Sequence, residues 1–219
     1  MLLSVVPSYD TLAAKPDNAG KPDFVVNIKE LKKSQTVILP DGRIAKKVVH
    51  VFYKEGFGHK PNHDKGGGPP DKEGKGGGEG CFAITKEVNW KAPESYIINP
   101  TNSDGLTHSF VESVINSNIE KWDSQVSSDI FGSSSVDTTA IPILDSPDNN
   151  NIVIFGDLDE SGTIAVTVIW GVFSGPPQTR GIVSWDMIFE DPDFLWGDAG
   201  PTNENVLGDT NIMDFIPAA

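Results

Sequence analysis

In THSFVESVINSNIEKWDSQV, residues 107–126, the apolar positions Phe110, Val111, Val114, Ile115, Ile119, Trp122 and Val126 recur at three- and four-residue spacing. That period lays them along one stripe of an amphipathic helix. Thr107 stands just ahead of the stripe and is the expected N-cap, because its hydroxyl can accept from a first-turn N–H. Elsewhere the apolar residues alternate or run on continuously, as in strands. ESYIINP (94–100) reads as a short strand closed by Asn99-Pro100, VDTTAIPI (136–143) as an edge strand, and NIVIFGDL (151–158) as a buried strand between Asn-rich and acidic turns. TIAVTVIWGVF (163–173) is β-branched nearly throughout, and GIVSWDMIFE (181–190) sets Val183, Trp185 and Met187 against Ser184 and Asp186. The expected order is strand, long helix, four strands, then a polar loop leading into the start of another helix.

Upstream, the apolar runs DFVVNI (23–28) and AKKVVHVFY (45–53) flank the turn signal LPDGR, so residues before 55 could form a hairpin or an extended arm too small to fold alone. Residues 56–80, GFGHKPNHDKGGGPPDKEGKGGGEG, hold Gly, Pro and charge with almost nothing to fill a core. Such a stretch is expected to be a disordered linker. The division expected is therefore 1–55, 56–80 and 81–219.

Charge narrows the partners. Seventeen Lys and Arg against 31 Asp and Glu leave a net −14, which disfavours nucleic acid and anionic membrane surfaces. No run approaches the roughly 18 apolar residues of a membrane span. The opening MLLSVVPSYDTLAA reads either as the tail of a secretory signal or as an ordinary disordered N-terminus. His59 and His63 have zinc-helix spacing, but Pro61 between them and the glycines around them disfavour a helix. His50 and His108 are isolated. GDLDESG has alternating acids without the twelfth-position glutamate of an EF-hand and reads as a solvated turn. Glu190, Asp191 and Asp193 are candidates for a structural cation such as calcium. No nucleophile elbow, Ser-His-Asp set or dinucleotide fingerprint is visible, so no catalytic residue is assigned.

The chain closes on GDTNIMDFIPAA, where Asp214 and Pro217 suit the first turn of a helix. Together GCFAITKEVNWKAPESYIINP, FVESVINSNIEKWDSQ, NIVIFGDLDESGTIAVTVIWGVFSGPP and IVSWDMIFEDPDFLWGDA resemble the N-terminal part of the catalytic domain of matrixin-like (metzincin) zinc metalloproteases of the archaeal and bacterial type, over about residues 80–219. The resemblance implies an α/β (α+β) fold: a twisted mixed sheet of about five strands with an antiparallel edge strand and a long backing helix. It also implies that the chain stops just before the active-site helix carrying His-Glu-x-x-His-x-x-Gly-x-x-His. Residues 1–55 then become a signal remnant and pro-segment, and 81–219 an incomplete catalytic domain of a secreted endopeptidase. The complete protein would need zinc and take peptide or protein substrates; this chain would be inactive. Thr163–Gly171 would be the exposed rim of the cleft, with Ala165, Val166 and Thr167 pairing to an extended substrate. Cys81 has three readings: a zinc ligand enforcing latency, half of a disulfide, or a free thiol. The competing class is a non-catalytic secreted binding or calcium-binding domain.

Overall fold

A computed structural model describes residues 24–54, 88, 90–127 and 129–197. The elements are β1 (Val25–Val26), α1 (Ile28–Leu31), β2 (Thr36–Ile38), β3 (Ile44–Tyr53), β4 (Glu94–Asn99), α2 (His108–Asp123), β5 (Phe131–Val136), β6 (Ile152–Leu158), β7 (Thr163–Val172) and β8 (Gly181–Glu190). All eight strands join one mixed sheet in the order β2-β3-β7-β8-β6-β4-β5, with β1 beside β6. The class is α+β, with strands dominating and α2 the one long helix among the described residues.

α2 forms where the apolar stripe lies. Thr107 Oγ1 accepts from the Phe110 N–H at 3.2 Å, satisfying a first-turn donor. Val111, Ile115 and Ile119, four residues apart, are the apolar side chains that this helix buries. They enter a core with Tyr96, Phe131, Val153, Phe155, Trp185, Met187, Phe189 and Trp196. The helix links β4 to β5, which are parallel, and a parallel pair needs such a crossover. β6 runs parallel to both β4 and β8. Its continuous Ile152–Phe155 run is buried throughout, as a strand covered on both faces requires.

A second core holds Ile152, Ile154, Leu158, Val166, Val168, Trp170 and Ile188 from the sheet, and Val26, Ile28, Leu31 and Ala45 from the N-terminal residues. The segment 24–54 is therefore built into the sheet. The hairpin differs from the expected one: AKKVVHVFY pairs with Thr36–Ile38, while Val25 and Val26 run parallel to Asp157 and Leu158. Turn geometry decides this, because Gly42 takes φ +83° and Leu39 and Arg43 close the turn with a 2.8 Å bond.

The edge strand after the helix also differs, occupying Phe131–Val136 while 137–143 is turn and coil. Pro142 has no N–H for a ladder. Gly132, by contrast, permits close approach: a Cβ there would stand 3.0 Å from the Ser95 backbone nitrogen.

Candidate functional site

Ala165, Val166 and Thr167 lie in the middle of β7, and β7 is not an edge. β3 pairs with it antiparallel through Phe52↔Ala165, Val51↔Val166 and His50↔Thr167. On the other side β8 pairs through Phe189, Ile188 and Met187. All three residues are buried. A strand whose two sides are both bonded has no free row of N–H and C=O groups for an incoming peptide, so the expectation of an exposed rim is corrected. The β-branched density of TIAVTVIWGV marks an interior strand as readily as a rim. His50 stands in β3 opposite Thr167 and is exposed; His108 opens α2.

The acidic candidates sit where β8 ends. Glu190 is buried, and its two carboxylate oxygens accept from Leu158 N–H at 2.5 Å and Asp193 N–H at 3.2 Å. Burial pushes its pKa up to about 7, against the lowering effect of those two donors. Asp191 accepts from the Ser103 N–H at 2.9 and 3.2 Å. Asp193 is exposed. Trp196 seals this end: its indole N–H reaches the Glu190 carbonyl at 2.5 Å, and its own backbone N–H reaches Asp104 at 2.9 Å. Its ring packs against Phe155 and Phe189 with centroids 6.1 and 5.4 Å away. Two of the three acids thus tie the loops at 100–106 and 191–197 to the sheet. Among the described residues no three His, Cys, Asp or Glu side chains are grouped to hold a metal.

Asp186 was not among the sequence candidates. Its Oδ1 accepts from the Ile152 N–H at 3.1 Å, and Oδ2 is buried without a hydrogen-bond partner. Burial first, then repulsion from Asp148, pushes its pKa up to about 8, while the Ile152 N–H opposes the rise. Ser184 Oγ and Trp170 Nε1 are also buried and unpartnered. Ser184 lies two residues from Asp186 and directly opposite Trp170. Beside them Asn151 bridges strands, accepting from Trp185 N–H at 2.9 Å and donating to the Ser95 carbonyl at 2.8 Å. Alternation with Trp185 and Met187 marks Ser184 and Asp186 as facing away from the first core, and polarity suggests solvent there. The second core covers that face instead.

Cys81, His59 and His63 lie outside the described residues, as does the linker 56–80. The fold and these sites define a mixed-sheet α+β protein. No protein-family model, curated protein or solved structure matches the chain.

Proposed function

We propose that the chain contributes the sheet and backing helix of a secreted zinc-dependent endopeptidase of the matrixin-like type. One observation carries the reading. With β1–β3 set aside, the remaining strands run β5-β4-β6-β8-β7, four of them parallel and the last antiparallel. α2 packs against the core of that five-strand set. The phrases carrying the resemblance supply these elements, which supports the reading, although the sheet has eight strands and β3 covers β7 where the resemblance implies an edge. The apolar opening followed by small residues, and the acidic balance, suit secretion.

The described residues do not fit a zinc centre, and no hydrolytic step is assigned to them. Glu190 and Asp191 are engaged with backbone N–H groups, and the His-Glu-x-x-His run does not occur in the 219 residues. In this reading zinc would be held by residues that these 219 do not supply. The test compares the 219-residue chain with a form extended by its downstream coding sequence, measuring zinc content and cleavage of casein with and without chelator. The expected outcome is chelator-sensitive cleavage by the extended form only. An extended form that holds no zinc, or metal-dependent cleavage by the shorter chain, overturns the reading in favour of a non-catalytic secreted domain or another chemistry.

A further inference from the structure

We propose that residues 24–54 are a strand-donating arm: a basic segment held to the acidic remainder of the sheet by its own contacts, which stays bound when the chain between Lys54 and β4 is cut. The surface it occupies is the edge of β7 together with the sheet face of Ile154, Leu158, Val166, Val168, Trp170 and Ile188. This inference is independent of the peptidase reading.

Charge separates the two pieces. Residues 24–54 carry seven Lys and Arg against two Asp and Glu, a net +5. Residues 90–197 carry three against 16, a net −13. Opposite fields of that size steer association and hold the pair in register. Contacts repeat the pattern locally. Lys32 Nζ donates to Glu160 at 2.8 Å, and Tyr53 donates to the same carboxylate at 2.7 Å. Arg43 reaches the Thr179 carbonyl at 3.2 Å, and the Asp159 carboxylate accepts from the Ile28 N–H at 2.7 Å.

Shape and backbone agree with charge. β3 meets β7 along its length, from Lys46↔Gly171 to Tyr53↔Thr163. Asp157 N–H and Asp159 N–H donate to Phe24 and Val26 carbonyls at 2.9 and 3.2 Å. Val26, Ile28, Leu31 and Ala45 are buried in the second core, and each Ile, Leu or Val so buried contributes about 1.5–3 kcal/mol. The core accommodates the arm at Gly156: a Cβ there would stand 2.9 Å from the Phe24 ring and 3.1 Å from its carbonyl oxygen. While the arm is bound, the β7 edge is closed to any other extended peptide.

The experiment places a site for a specific protease within residues 56–80 of the full chain, cuts it to completion, and passes the product over a sizing column at about 1 μM, where a Kd of about 0.5 μM would split the equimolar pieces evenly. The arm is expected to co-elute with the remainder, and to be released progressively as salt is raised. Ala45→Asp, which buries a charge in the contact, should release the arm after cutting, whereas Ile44→Asp at the exposed neighbouring position should not. Uncut, both variants keep the arm at the millimolar effective concentration a tether supplies, so circular dichroism before cutting checks that each has folded. Release of the wild-type arm at low salt, with the remainder either folded or precipitated, overturns the proposal. So does equal retention by wild type and Ala45→Asp, or retention that does not change with salt.

Discussion

Asp186 and Glu190 are buried carboxyl groups whose charged forms burial disfavours, and both sit on β8. Their folded pKa values stand at about 8 and about 7, above their ordinary 3.8 and 4.5. A carboxyl group with a raised folded pKa binds more protons folded than unfolded between its two values, so stability falls as pH rises across that window. The protein should therefore lose stability from about pH 4 to about pH 8 through these two groups. Asp186→Asn keeps an acceptor for the Ile152 N–H and cannot ionise; it should raise stability at pH 8 by at least about 1 kcal/mol, the scale of a buried charge left without a partner. Thermal melts of both proteins across pH 5–9 check this, with the gap expected to widen as pH rises. Parallel melting curves would show that Asp186 does not titrate in the window. Polarity at 184 and 186 was legible in the sequence but its burial was not, because the residues covering that face come from 24–54 and from around Ala140 and Leu144.

At the scale of elements, what was readable depended on whether a segment's partners were local. α2 was legible with its cap because period and N-cap are properties of the segment itself. Thr107→Ala removes the acceptor for the Phe110 N–H and should cost about 1 kcal/mol. Urea unfolding should show a lower midpoint at unchanged slope, and an unchanged midpoint would show that the cap contributes nothing. β4, β6, β7 and β8 were legible as strands from their apolar runs. β5 was not, because FGSSSV is a polar outer strand whose pairing is set by β4, while the more apolar AIPI beside it carries a proline. β2, three residues long, has no pattern of its own and is defined by the turn at 39–43. Which strands are neighbours was the least legible feature: nothing local to β7 reveals that β3, more than a hundred residues earlier, covers its edge.

Across the whole molecule, that one pairing changes what the sheet can do. Without β3, β7 would end the sheet with an open ladder next to the residues implied to bind substrate; with β3 in place the ladder is closed and the outermost strands are β2 and β5. Bonded backbone amides exchange only when their region opens, so hydrogen exchange reads the difference directly. In the 219-residue chain, the amides of residues 165–171 facing β3 should be protected to the same degree as those facing β8, since both rows are bonded there. β5, paired on one side by β4, should show alternating protection, with its outward amides exchanging fastest. Alternating protection along β7, with the row facing β3 exchanging as fast as the outer row of β5, would mean that the arm leaves often enough for the edge to act as an open one. Uniform protection would mean that any extended peptide must first displace residues 44–53, a competition that their eight paired positions and opposite net charge make unfavourable.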